Sequence, residues 1–199
     1  MKHIVITGGS RGIGFGLLCS FLELGHKVTF SGTSIGSVSA AIDKIADQFP
    51  KDSINGVVCD VRNTDDISSL WEKAAQFSPI DIWINNAGIT QPDLPLSVLD
   101  KDAIHDLISI NIEGLIQSTV FVYNQMLKQG FGTIFNMEGF GSDNRKMKNI
   151  GLYGMSKKAV RYYTESFVLE TKNSPVNLCF LSPGMVITDL LLKEYRDDP

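Results

Sequence analysis

Cysteine is scarce in this sequence: three residues, Cys19, Cys59 and Cys179, all widely separated. An odd, scattered set excludes a disulfide framework. Each lies in an apolar stretch, so buried free thiols in a reducing cytoplasm are expected. No run of roughly 18 apolar residues is available to span a bilayer. The first apolar run, Ile4-Val5-Ile6, stops at Gly8-Gly9, too short for the core of a secretory leader. Basic residues are not in surplus either: 18 Lys and Arg against 22 Asp and Glu give a formal charge of −4. That excludes the electrostatic footprint of a nucleic-acid binder. His3, His26 and His105 have no ligand-like spacing, so no catalytic metal is expected. Internal repeats, low-complexity stretches and linkers are missing too, which predicts one domain over residues 1–199. What is present is an ordinary globular balance, 43% hydrophobic and 20% charged residues, enough for a real core.

Short β-branched runs alternate with longer amphipathic segments. The spacing predicts strands over 3–7, 27–31, 54–59, 80–85, 133–137 and 176–181. Helices are predicted between them over 12–24, 37–48, 64–77, 101–128 and 152–172. Thr64 and Asp100 are placed to cap the third and fourth of these helices. Near-continuous apolar strands suit a parallel sheet covered on both faces. The alternation implies an α/β fold, a doubly wound three-layer αβα sheet of order 3-2-1-4-5-6. Ligands of such sheets bind beyond the carboxyl ends of the strands, so the segments that follow strands carry the functional information. Phe15, Phe21, Trp71 and Trp83 fall on apolar faces and read as core.

Thr7-Gly8-Gly9-Ser10-Arg11-Gly12-Ile13-Gly14 joins the first strand to the first helix. Glycines at 8, 12 and 14 permit a tight turn, close approach of backbone to a pyrophosphate, and close helix–strand contact. The helix N-terminus adds free N–H donors and a partial positive charge. A glycine-rich turn with no ligand is the bland alternative, but the strand–helix context favours a dinucleotide. An NAD site usually has an acid about 20 residues further on, for the adenosine ribose. Here Ser31-Gly32-Thr33-Ser34 holds no carboxylate, and the next acid is Asp43. Arg11 could pair with a 2′-phosphate and Thr33 and Ser34 could donate to it, so NADP is preferred to NAD.

Tyr153-Gly154-Met155-Ser156-Lys157 opens the last long helix. Residues i and i+4 share a helix face, so phenol and ammonium point into the same space. A free tyrosine titrates near pH ~10, and a nearby ammonium favours its phenolate, which brings proton transfer to or from a substrate oxygen within reach. Alone the pair is usually a surface contact worth ~0.3–0.5 kcal/mol. Its company gives it meaning: Asn85-Asn86-Ala87-Gly88 after the fourth strand, Asn111 in the long helix, and Ser182-Pro183-Gly184 after the sixth.

Through Thr7–Gly14, Asp60-Val61, Asn85–Gly88, Asn111, Tyr153 with Lys157, and Pro183-Gly184 with Thr188, the chain resembles the short-chain dehydrogenase/reductase family along essentially its whole length. The resemblance implies that Tyr153 donates a proton to the substrate oxygen. Lys157 would hold the nicotinamide ribose hydroxyls and depress the tyrosine pKa, and Asn111 would help hold a water linking Lys157 to solvent. Asp60 and Val61 would flank the adenine. Asn86, Ala87 and Gly88 would line the adenosine side and central sheet, and Pro183, Gly184, Val186 and Thr188 the nicotinamide end. It also implies a homodimer or homotetramer formed through the long helices, and a small-molecule carbonyl or alcohol substrate.

Two departures stand out. Where the family carries a catalytic serine, the stretch Asn136-Met137-Glu138-Gly139-Phe140-Gly141-Ser142 places Gly139. Either Ser142 substitutes, or the site works through Tyr153, a water and backbone N–H groups, or catalysis is lost. The same stretch resembles the chlorophyll b reductase branch, which implies reduction of a formyl group on a bulky, apolar tetrapyrrole. A generic alcohol dehydrogenase or 3-oxoacyl reductase, and an NADP-binding sensor without turnover, remain open. Glu138 reads as a loop carboxylate at the cleft edge, Asp143 with Arg145, Lys146 and Lys148 as a solvated loop, and Phe140, Leu152 and Met185 as pocket walls. The chain also stops at Pro199, where family members continue through a covering helical segment and a seventh strand. The expectation is a sheet without that strand, with either a more open pocket or a lost tail, and an edge for a partner subunit to cover.

Overall fold

Six short runs form strands because their apolar residues can be covered on both faces: β1 (His3–Ile6), β2 (Lys27–Gly32), β3 (Ile54–Val58), β4 (Ile82–Asn85), β5 (Gly132–Met137) and β6 (Val176–Leu181). In the computed structural model, which describes residues 1–184, they pair in parallel in the order β3-β2-β1-β4-β5-β6. The register sets Val5 beside Thr29 and Trp83, and Asn85 beside Asn136. The doubly wound sheet expected from the sequence is therefore present.

The helices are α1 (Gly12–Glu23), α2 (Ile35–Asp43), α3 (Thr64–Phe77), α4 (Lys101–Ile108), α5 (Leu115–Gln129) and α6 (Gly151–Glu170). Successive strand residues serve opposite layers, as a period of two requires. Ile4 and Ile6 pack with Leu18, Leu22, Val38 and Ala41 of α1 and α2, whereas Val5 packs with Ile67, Trp71, Val122 and Met126 of α3 and α5. Trp71 and Trp83 are core as expected, while Phe15 and Phe21 are only partly buried against the α1–α2 layer. The winding reverses between β1 and β4, and a crevice opens at their carboxyl ends.

Local chemistry moves several boundaries. Ser34 caps α2 through a reciprocal box with Ser37, so the helix starts two residues before the predicted position. Asn63, not Thr64, caps α3, its side chain accepting from the Asp65 N–H. Asp100 does cap α4, accepting from Ala103 at 2.7 Å. The single helix expected over 101–128 is split by a π-helical turn, Ser109–Gly114, that carries Asn111. All three cysteines are free, but only Cys59 is buried, whereas Cys19 and Cys179 are half-exposed on α1 and β6. No helix among the described residues is long and apolar enough to cross a membrane. The expectations about a seventh strand, Met185, Val186 and Thr188 lie outside the described residues.

Beneath the crevice lies a buried polar network. Asn85 accepts from Trp83 Nε1 at 2.8 Å and Ser118 Oγ at 2.7 Å, and donates to Thr119 Oγ1 and Asn136 Oδ1. Asn136 in turn donates to Thr164 Oγ1 at 3.0 Å, which ties β4 and β5 to α5 and α6. Buried amides are costly when left unpaired. Asn136→Ala should destabilise the fold by about 2–4 kcal/mol, read as a lower urea midpoint at an unchanged m-value. A midpoint shift close to zero would show that the network carries no stability.

Candidate active site

The glycine turn is shaped by close approach on two sides. Gly8 and Gly12 have φ of +65° and +57°, a region that favours glycine. A Cβ on Gly14 would collide with Gly8 O and Asn86 Nδ2. Asn86 fixes the turn, donating from Nδ2 to the carbonyls of Thr7 and Gly8 at 2.9 and 3.0 Å. Thr7 Oγ1 accepts from the N–H groups of Asn86 and Ala87. Arg11 stands at the N-cap of α1 in extended conformation and makes no side-chain cap bond, and Ile13 packs into the α1–α2 layer. The first N–H groups of α1 thus remain without a side-chain cap, beside a backbone cradle that a Cβ would fill. This is what a pyrophosphate requires, and the donor set fits a dinucleotide.

At the end of β2, a Cβ on Gly32 would meet Ser37 Oγ at 2.6 Å and Ser10 Oγ at 3.0 Å, so the glycine turn and the β2–α2 corner touch. Thr33 and Ser34 are exposed there. Ser34 Oγ accepts from Ser37, which leaves its O–H free to donate. Asp60 differs from a simple adenine neighbour: its carboxylate is paired with Arg62 at 2.6 Å, and Arg62 reaches Asp106 at 3.1 Å. The Arg62 hydrogen bonds hold the Asp60 pKa below the usual carboxylate range. Val61 is buried, with its carbonyl against Gly114.

Tyr153 and Lys157 rise from the first turns of α6. The phenol oxygen lies 2.7 Å from where a Cβ on Gly139 would be, and Lys157 Cγ 3.4 Å from it. The Gly139 backbone therefore forms the wall beside the hydroxyl. Lys157 Nζ donates to Met137 O at 3.2 Å, stands 5.6 Å from the Tyr153 ring centre, and is 3.5 Å from a Cβ placed on Gly88. Burial pushes the Lys157 pKa down to about 8, opposed by the charge of Glu138. Asn111 grips Ile89 from the π turn: its Oδ1 accepts from Ile89 N–H and its Nδ2 donates to Ile89 O, both at 2.8 Å. It also donates to Ser156 Oγ, and its Oδ1 lies 3.2 Å from a Cβ on Gly88. Turns of this wide kind recur at functional sites. Pro183 is half-buried and Gly184, with φ of +70°, ends the described residues.

Ser142 is buried one short turn beyond Gly139, its N–H donating to Gly139 O at 3.1 Å. Asp143, Arg145, Lys146 and Lys148 are exposed, as expected for a solvated loop. Glu138 is not the cleft-edge loop carboxylate that the sequence suggested. Its N–H continues the sheet by donating to Leu181 O at 3.0 Å, so the residue stays under α6, 4% exposed, with Oε2 3.7 Å from Arg161 Nη1. Gln91 is a functional position without a sequence motif. It is buried, and its Oε1 accepts from the N–H groups of Leu152 and Tyr153 at 2.7 and 3.0 Å, capping the helix that carries the phenol. An amide 61 residues upstream of its partner leaves no local signal.

Gly139→Ala puts a methyl group against the phenol. It should lower kcat by about ten- to a hundredfold through displacement of the hydroxyl, with the apparent affinity for a nicotinamide dinucleotide unchanged. Equal kcat in the two proteins would remove Gly139 from the site.

Comparison with known proteins agrees with this geometry. A family profile described as short chain dehydrogenase matches residues 2–199. The chain is 36% identical over 196 residues to the chloroplastic chlorophyll(ide) b reductase NOL of Oryza sativa subsp. japonica, covering 96% of this chain and 57% of that protein. It is 34% identical to the chloroplastic NOL protein of Arabidopsis thaliana, over 96% of this chain and 56% of the relative. The chain thus spans little more than half the length of these relatives. A gluconate 5-dehydrogenase from Burkholderia cenocepacia, solved with NADP and tartrate, superposes with a TM-score of 0.86 at 26% identity, over 99% of this chain and 76% of that one. Sheet order, glycine turn, Tyr153 and Lys157 and the match along the chain together make one assignment: this protein belongs to the short-chain dehydrogenase family.

Proposed function

We propose that this single-domain protein is an NADPH-dependent carbonyl reductase that takes an aldehyde or ketone to an alcohol, similar in kind to the chlorophyll b reductases. The observation that carries the reading is the Tyr153 hydroxyl standing over the side-chain-free position of Gly139, with Lys157 Nζ buried behind it. Tyr153 donates its proton to the carbonyl oxygen. Lys157 stabilises the phenolate that remains and offers its other N–H bonds to the ribose hydroxyls. The bound nicotinamide cofactor supplies the hydride. Asn111, fixed against Ile89 and Ser156, keeps the polar end of the cleft in place for a water that returns a proton to Lys157. Ser142 is the candidate stand-in for the missing serine, and unchanged turnover in Ser142→Ala would remove it from that role.

The preference for NADPH rests on Arg11, Thr33 and Ser34 being exposed around the Ser10–Gly32 contact, on a corner without a carboxylate. The NADP complex of the gluconate 5-dehydrogenase agrees with it. Exposed apolar residues on the long helices, Val120 and Leu127 on α5 with Tyr162 and Leu169 on α6, support assembly as a homodimer or homotetramer. The cytoplasmic location inferred from free cysteines stays a proposal beside relatives named as chloroplastic.

The test is NADPH oxidation against a panel of aromatic and aliphatic aldehydes and ketones, run with the protein and Tyr153→Phe. At least one carbonyl should be reduced, and the variant should lose about 10²-fold or more of kcat while still binding NADPH. Dissociation constants should favour NADPH over NADH, and Arg11→Ala should erase most of the difference. Tight NADPH binding with no carbonyl reduced by either protein would establish the sensor reading instead.

A further inference from the structure

Lys157 and Arg161 stand one turn apart on α6, two cations sharing a helix face, and Lys157 is 5% exposed. An ammonium buried beside a like charge is under strong pressure to lose its proton. Glu138 faces both. It is 4% exposed, and its Oε2 is buried with no hydrogen-bond partner among the described residues, at 3.7 Å from the Arg161 guanidinium. Its two chain neighbours are the functional walls of the site: Met137, whose carbonyl accepts from Lys157 Nζ, and Gly139, which backs the Tyr153 hydroxyl. Arg161 is itself held from the outer side by Glu165 at 2.9 Å and lies over the Phe180 ring at 4.8 Å. The guanidinium is thereby fixed over the acid.

We propose that Glu138 is a positioning residue of the active site: clamped by Arg161, its carboxylate supplies the counter-charge that keeps the buried Lys157 protonated next to Tyr153. The inference rests on the reading of Tyr153 and Lys157 as the proton-handling pair. The groups that bear on Lys157 are few. From α6 come Tyr153, Lys158, which turns away to donate to Ser142 O, and Arg161. From the end of β5 come Glu138 and the Met137 carbonyl, and from the β4–α4 side the neutral Gly88 and Asn111. Asp143 is exposed and paired with Arg145. Glu138 is therefore the acid whose charge reaches the ammonium, and its charge opposes the downward push of burial. The chemical consequence is direct. While Lys157 carries its charge, Tyr153 can pass its proton to a carbonyl oxygen at low cost; once Lys157 is neutral, that help is gone. Reductive turnover should fall as pH rises through the Lys157 midpoint, and Glu138 sets how alkaline that midpoint lies.

The experiment is an NMR titration of the lysine 13Cε resonances in the intact protein, with Lys157→Met to assign the signal, followed by the pH profile of kcat. Glu138→Gln should move the Lys157 midpoint down by about one pH unit, and carry the alkaline limb of kcat with it. Activity should then drop about tenfold on the alkaline side, with little change near pH 6. Glu138→Asp, which keeps the charge, should restore most of the shift. Arg161→Gln leaves the carboxylate to Lys157 alone and should move the midpoint the opposite way, which keeps a test in hand if Glu138→Gln does not fold. A midpoint in Glu138→Gln that matches the unaltered protein, or one in Arg161→Gln that stays or falls, would overturn the assignment. The NMR readout does not need turnover. Shifted midpoints in a protein that reduces no carbonyl would sink the carbonyl reductase reading and leave Glu138 in place.

Discussion

A buried ammonium is the constraint around which the rest of this structure is arranged. Taking Lys157 out of water costs several kcal/mol in the absence of partners, and the fold supplies them from the edge of one strand. Met137 O accepts a hydrogen bond from Nζ, and Glu138 sets an opposite charge nearby. Those two groups are in reach because β5 continues its pairing with β6 one residue past the strand end, through Glu138 N–H to Leu181 O. The polar network of Asn85, Thr119, Asn136 and Thr164 then locks β5 to α6 from below. The position of the ammonium is thus a property of the sheet as much as of the helix that carries it.

The same helix is anchored at its other end. Gln91 closes the N-terminus of α6 with two hydrogen bonds, and Asn111 pins the Ile89 backbone in the same loop. The loop after β4 therefore connects the phenol-bearing turn to the π turn before α5. At the start of the same loop, Asn86 clamps the glycine turn. The glycine turn and the helix of Tyr153 and Lys157 are held through Asn86, Ile89 and Gln91 of a single segment, which explains how two halves built from distant parts of the chain keep a common register.

The sequence revealed what depends on short-range spacing. The glycine turn was legible because Gly8, Gly12 and Gly14 fall between a strand and a helix, and Tyr153 with Lys157 because four residues make one helical turn. Sheet order followed from the alternation of apolar runs. Gly139 was visible as a missing hydroxyl, but not that its bare backbone would back the phenol. The roles of Gln91 and Glu138 are illegible in the sequence for one reason: each takes its role from a partner brought close by the fold, Gln91 from the N-terminus of α6 and Glu138 from Lys157 and Arg161. A carboxylate in a glycine-rich segment looks solvated until the sheet is assembled around it. The π turn is hidden likewise, since nothing in the apolar pattern of 101–128 marks the place where Asn111 grips Ile89.

The proposed role unites Tyr153, Lys157 and the Gly8–Gly14 turn around one bound dinucleotide. A crystal structure of the NADP complex tests it most directly. The pyrophosphate should lie on the N–H groups that open α1, the ribose hydroxyls on Lys157 Nζ, and the reactive face of the ring should open to the cleft beside the Tyr153 hydroxyl. A dinucleotide bound away from the glycine turn, or a ring separated from the phenol by the Gly139 segment, would contradict it.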